Sequence, residues 1–144
     1  MIHDQSALSH LDNLGKRAVI LARRRAEESQ SEGIAPEHLL LALLALRKGL
    51  AARTVANLSG SPDQVTEVRG RRPSPSHLPF TAATEEGLVR AAEQARQWGD
   101  DHIGTEHMLL GLLAATDNAA VRRLREAGVT YQAASAEIIR LRAA

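Results

Sequence analysis

The 144 residues are 44% apolar with only three aromatics, Phe80, Trp98 and Tyr131, which excludes a disordered chain and calls for a core of Leu, Ala, Val and Ile. A net charge of +1 removes the bulk positive field of a general nucleic-acid binder, and the absence of cysteine removes disulfides and thiolate catalysis. No stretch reaches the roughly 18 apolar residues that span a bilayer, and residues 1–14 lack a signal-peptide core, so a cytoplasmic protein with no membrane partner is expected.

In chain order, Asp12 is a good N-cap, and Val19, Ala22 and Ala26 behind it form an apolar stripe at helical spacing. A polar loop follows over residues 29–33. Pro36 suits a first helical turn, and residues 37–46 are apolar nearly all round, which predicts a buried helix. A third helix over about 50–58 ends at Gly60, and a fourth runs from about 62 to 68. Three prolines within residues 70–79 predict an exposed linker, about 70–80. The pattern then starts again. Thr81 is an N-cap; Leu88, Ala91 and Ala95 form the stripe; residues 99–102 are the loop. Thr105 reads as the next N-cap, 106–115 as a buried helix, about 119–127 as a helix closed near Gly128, and about 130–141 as the last helix.

The two copies align at a constant spacing of 69 residues. Residues 34–44 (IAPEHLLLALL) and 103–113 (IGTEHMLLGLL) agree at seven of eleven positions. A duplication of this length means two copies of one folded unit, and a site in one copy has a twin in the other. No strand-type alternation is present. The expected fold is all-α: one domain over 1–144, eight helices in two four-helix repeats (about 11–69 and about 81–142) related by a pseudo-twofold axis.

Glu37-His38 and Glu106-His107 are the pairs that could carry chemistry. The order is wrong for a zinc helix, because Ala42 and Gly111 stand four residues after the histidines where a second ligand would be needed. No metal and no cofactor is expected. Each histidine is read as anchoring the first turn of its helix by bonding to the preceding loop. Each glutamate has two readings: a carboxylate favoured by the helix dipole, or one that receives a guanidinium at the surface, with free N–H groups at the helix start taking an anion alongside. Arg23, Arg24 and Arg25, with Arg17 upstream, are read as a solvated helix face or as a patch for an acidic partner. A small helical nucleic-acid-binding or regulatory protein using these arginines is the alternative function. Phe80, just before an N-cap, is read as a hydrophobic staple or as an exposed anchor for a peptide. No nucleophile stands near a base at repeat-consistent positions, so an enzyme is not expected.

The duplicated motif, most fully the run IGTEHMLLGL over 103–112, resembles the signature of the Clp N-terminal repeat domain at the front of ClpC- and ClpA-type Hsp100 unfoldases. The LPFT run at 78–81 is similar to the ClpC version. The resemblance covers about residues 11–141. It implies a non-catalytic docking module that receives substrate and adaptor proteins for a hexameric ATP-driven unfoldase. In ClpC-type members it also implies reading of phosphoarginine, with the guanidinium held by the motif's glutamate. That carries over to Glu106 and Thr105. In copy one Glu37 and His38 match, but Ala35 and Pro36 replace the Gly and Thr, so a degraded first site is expected. The adaptor and peptide surface of the family maps onto Phe80 and, in copy one, Leu11. The 144 residues carry no ATPase module. Two readings therefore stand: a piece of a longer unfoldase, or a free-standing protein that delivers, competes for or sequesters Clp ligands.

Overall fold

The computed structural model describes residues 8–60, 78–115 and 117–144. It contains seven helices among them: α1 (Asn13–Glu28), α2 (Pro36–Ala45), α3 (Leu50–Ser59), α4 (Ala82–Gln97), α5 (Thr105–Ala115), α6 (Ala119–Glu126) and α7 (Tyr131–Ala143). The expected fourth helix of copy one and most of the expected linker lie outside the described residues. The expected all-α fold is observed. The only extended pairings among the described residues are two isolated parallel bridges, Leu11 with Ile103 and Ile34 with Phe80.

Local chemistry sets the helix starts. Asp12 Oδ1 accepts from Gly15 N at 2.7 Å, Thr81 Oγ1 from Thr84 N at 3.3 Å, Asn118 Oδ1 from Val121 N at 2.9 Å and Thr130 Oγ1 from Ala133 N at 3.1 Å. Each bond satisfies an amide that the first turn leaves without an intrahelical acceptor. Thr105 is not an N-cap: it is the first residue of α5, and Gly104, whose carbonyl accepts from Met108 N at 3.1 Å, holds the capping position. Gly60 and Gly128 close their helices with positive φ, 76° and 96°. They stand 68 residues apart, so the copies lose register by one residue there.

The predicted stripes are buried. Val19, Ala22 and Ala26 of α1 are buried, the two alanines wholly, and so are Leu88, Ala91 and Ala95 of α4. Burying both stripes leaves α2 and α5 in the centre, with Leu39, Leu40 and Leu43 of the one and Met108, Leu110 and Leu112 of the other fully buried. Each such side chain contributes about 1.5–3 kcal/mol when taken from water. The copies interlock: α3 of the first packs on α5 of the second, and α6 of the second on α2 of the first.

The end of the expected linker belongs to the fold, with only Pro79 of residues 78–80 exposed. Leu78 and Phe80 are buried, Ile34 N donates to the Pro79 carbonyl at 2.8 Å, and Thr81 N donates to Ile34 O at 3.1 Å. The mirror arrangement holds Leu11: Ile103 N donates to His10 O at 2.8 Å and Asp12 N to Ile103 O at 2.9 Å. The lead-in to each copy's first helix is therefore hydrogen-bonded to the lead-in of the other copy's central helix.

Candidate functional site at the start of the central helices

His38 and His107 occupy the third position of α2 and α5, and both do what the sequence predicts. Ala35 N donates to His38 Nδ1 and Gly104 N to His107 Nδ1, each at 2.9 Å. A backbone N–H can only donate, so Nδ1 is the acceptor and the proton of each neutral ring sits on Nε2. Beyond this point the copies differ. His38 Nε2 meets two hydroxyls, Ser29 Oγ at 3.2 Å and Ser31 Oγ at 3.3 Å. Burial, with the charge of Arg25 adding to it, pushes its pKa below the usual histidine value.

His107 Nε2 meets a carboxylate, Asp100 Oδ2, at 2.7 Å. Asp100 in turn holds Arg142 of α7 in a two-pronged ion pair, 2.9 and 2.7 Å. The Arg142 guanidinium lies 5.0 Å from the Trp98 ring centre, and that ring is 5.7 Å from His107. Hydrogen bonding to Arg142 is the main reason the Asp100 carboxyl titrates below its ordinary value; burial opposes it and the bond from His107 adds to it. Hydrogen bonding to Asp100 raises the pKa of Arg142, and the charge of Glu106 adds to that. A chain of polar contacts thus runs from the last turn of α7 to the Gly104 amide at the start of α5.

Glu106 stands in the first turn of α5, half-buried. A Cβ built on Gly104 would run into Glu106 Oε1 and stand 2.8 Å from Asp12 Oδ2. Two carboxylates, one from each copy, therefore converge over Gly104. Asp12 was legible as a helix cap only; the crossed pairing of Leu11 with Ile103 brings it here, and no local pattern carries that. The Thr105 and Glu106 amides stand in the first turn of α5, where the helix itself supplies no acceptor. Thr105 as a whole is 2% exposed, and its hydroxyl accepts from Ala51 N at 3.4 Å beneath Gly49.

The corresponding corner of copy one keeps Glu37, half-buried, but has Thr81 beside Gly33 where copy two has Asp12, and Pro36 offers no N–H. Phe80 and Leu11, expected on an adaptor surface, are 9% and 4% exposed and belong to the core. An exposed anchor at Phe80 is corrected on that ground. The staple is corrected too, because the partner position in the first turn of α4 holds Glu85, not an apolar residue. Arg17, Arg23 and Arg24 are exposed on α1, while Arg25 is half-buried beside His38. Trp98, Ile139, Arg142 and Ala143 line an open groove of about 360 Å³ next to the Asp100–Arg142 pair. Among the described residues, no group of three or more His, Asp or Glu side chains is arranged to hold a metal, and no helix is long and apolar enough to cross a membrane.

Comparison with known proteins agrees with this duplicated geometry. The family described as Clp repeat (R) N-terminal domain matches residues 13–127 and again 79–141. An ATP-dependent Clp protease ATP-binding subunit ClpA homolog of Porphyra purpurea is 30% identical over 131 residues, covering 87% of this chain and 16% of that protein. The chloroplastic chaperone protein ClpC1 of Arabidopsis thaliana is likewise 30% identical, over 87% of this chain and 14% of its own length. The chain thus spans about a sixth of the curated relatives it matches. Among solved structures, the N-terminal domain of ClpD from Arabidopsis thaliana superposes with a TM-score of 0.67 at 22% identity, covering 94% of this chain and 96% of that one. The ClpV N-domain in complex with a VipB peptide superposes with a TM-score of 0.71 at 19% identity, over 91% and 86% of the two chains.

Proposed function

The chain belongs to the Clp repeat N-terminal domain family, and on that premise we propose that it is a non-catalytic docking module that takes up substrate or adaptor proteins for a Clp-type unfoldase. The ClpV N-domain, solved with a VipB peptide, supports a peptide ligand for this fold. The finer reading is a site for phosphoarginine at the start of α5. One observation carries it: the carboxylates of Asp12 and Glu106 converge over Gly104. Beside them the half-buried Glu106 carries an amide that the helix itself leaves without an acceptor. A guanidinium is planar and always charged, and it fits a pair of carboxylates. An anion fits unpaired amides at the positive end of a helix. Phosphoarginine carries both groups on one side chain. Copy one lacks the second carboxylate and the proline's N–H, so the competent site is at Glu106 and the Glu37 site is weak. No observation favours nucleic acid at the arginines of α1 over this reading, since Arg25 turns away from the others.

Calorimetric titration with phosphoarginine tests the proposal. One site is expected, abolished by Glu106→Ala and unchanged by Glu37→Ala. Asp12→Asn keeps a cap on α1 but removes the charge, and a loss of about tenfold in affinity is expected for one charged hydrogen-bonding partner. Absence of heat in the unaltered protein refutes phosphoarginine as ligand. Failure to retain any Clp-type unfoldase, adaptor or substrate in co-precipitation refutes docking itself.

A further inference from the structure

α1 and α4 are equivalent helices in the two copies, and their outer faces carry opposite charge. At four aligned positions both helices bear a charged residue: Lys16 and Glu85, Arg17 and Glu86, Arg24 and Glu93, Glu27 and Arg96. The sign is reversed at all four. The buried stripe beneath is conserved in kind, Val19, Ala22 and Ala26 against Leu88, Ala91 and Ala95, so the reversal is confined to the outer face. Lys16, Arg17, Arg23, Arg24 and Glu27 are exposed, as are Glu86, Glu93 and Arg96, with Glu85 half-buried. At the centre of the basic face Ile20 is 55% exposed, the largest exposure of any big apolar side chain in the described structure. Its counterpart at the centre of the acidic face is Val89.

We propose that the α1 face of one molecule docks on the α4 face of a second copy of this chain. Laid face to face, the two helices bring the net basic face of α1 against the net acidic face of α4, with Ile20 and Val89 at the centre. Both faces look outward from one rigid domain, so a molecule cannot satisfy itself. The contact is heterologous and propagates head to tail. Glu86 pairs with Arg90 at 2.9 Å in the isolated chain, an exposed i,i+4 pair that exchanges cheaply for an intermolecular one. The isoleucine favours a protein surface over nucleic acid, which would leave it in water and would find no aromatic on α1 to stack on. Two helix faces form a small interface, so the association is weak and concentration-dependent. It is independent of the Glu106 site.

Sedimentation velocity on the full chain tests this at protein concentrations up to about 1 mM, the regime of weak contacts. The unaltered protein is expected to associate at about 0.1 M salt and to lose at least about tenfold in affinity at 1 M, where the screening length falls from about 10 to 3 Å. Arg17→Glu with Arg24→Glu is expected to be monomeric, as is Glu86→Arg with Glu93→Arg, and mixing the two variants restores association. Should a variant fail to fold, amide shifts on dilution of the unaltered protein give the answer, with changes expected over residues 16–27 and 85–96. A monomer at every concentration, association that the charge reversals leave intact, or shifts elsewhere overturns the proposal. Binding of a duplex DNA probe by the basic face without self-association overturns it in favour of nucleic acid.

Discussion

Gly111→Ala tests how closely α4 approaches α5, the helix that carries Glu106. Gly111 lies in the middle of α5, and a Cβ there would overlap the Gly87 carbonyl oxygen and stand 2.7 Å from Ala91 N and 3.1 Å from Ala91 Cα. All three are backbone atoms of α4, which cannot rotate aside as a side-chain tip can. Adding the methyl therefore forces α4 and α5 apart along the seam where Leu109, Leu110 and Leu113 are buried. Overpacking of this kind costs about 3 kcal/mol, the upper end for core insertions, because the relief is a helix displacement. Against it stands the gain of about 1 kcal/mol that Ala has over Gly inside a helix. The balance is a loss of about 2 kcal/mol, or about 4–8 °C in Tm for a domain of this size. Thermal melting followed by circular dichroism measures it directly. The equivalent position in copy one is Ala42, and the positions aligned with Gly87 and Ala91 are Ala18 and Ala22; all three are buried, so methyl groups are already accommodated there, and Ala42→Gly loses about 1 kcal/mol from helix propensity alone. An unchanged or raised Tm in Gly111→Ala would refute the reasoning, because propensity alone predicts that sign. Glu106 sits at the head of the same helix, so the displacement should also weaken phosphoarginine binding at a temperature where the variant is folded.

Gln30 has φ 57° where copy two has Gly99 with φ 72°, so Gln30→Gly should stabilise by about 0.5–1 kcal/mol, read as a rise in Tm; a fall would show that the left-handed residue is not strained. His38 has its folded pKa lowered by burial and by Arg25, so its contribution to stability is present above about pH 6.5 and is lost as pH falls through the folded pKa. A proton NMR titration should place its midpoint below 6.5, and Arg25→Ala should move it part of the way back; a midpoint at or above 6.5 contradicts the assignment. Asp100 has its folded pKa depressed chiefly by Arg142, so its contribution is present above the ordinary aspartate pKa and is lost as pH falls through the depressed one. Arg142→Gln should therefore shift acid unfolding to higher pH and change the nitrogen shift of His107 Nε2; identical acid curves would show that the ion pair is not formed in solution.

Much of the fold was legible because it depends on local rules applied twice. The N-caps at Asp12 and Thr81, the stripes on α1 and α4, the all-apolar central helices and the two anchoring histidines all follow from residue type and helical spacing. The repeat made each of these a double observation. The errors came where tertiary contacts decide. Phe80 reads as a staple or an exposed anchor, and the family resemblance puts Phe80 and Leu11 on a docking surface, but the bridges to Ile34 and Ile103 hold both inside. Thr105 reads as a cap by its type, but Gly104 takes that place because the position is crowded by two carboxylates and leaves no room for a Cβ. Asp100 and Arg142 lie 42 residues apart, and only the packing of the last helix against the start of α5 joins them.

The crossed bridges also explain how two copies of one unit can come to do different work. If each copy formed its own corner, a change in one would leave the other alone. Here the residue beside each central helix is supplied by the opposite copy: Asp12 N of copy one donates to Ile103 O of copy two, and Thr81 N of copy two donates to Ile34 O of copy one. One aspartate therefore both starts α1 and doubles the negative charge next to Glu106, while one threonine starts α4 and leaves Glu37 without a second carboxylate. Asp and Thr are near-equivalent as helix caps, so the exchange costs folding little. They are far from equivalent as partners for a cation. Asymmetry at the two corners can thus enter through a position whose structural duty tolerates either residue, and the chain keeps its duplicated fold while concentrating charge at one corner.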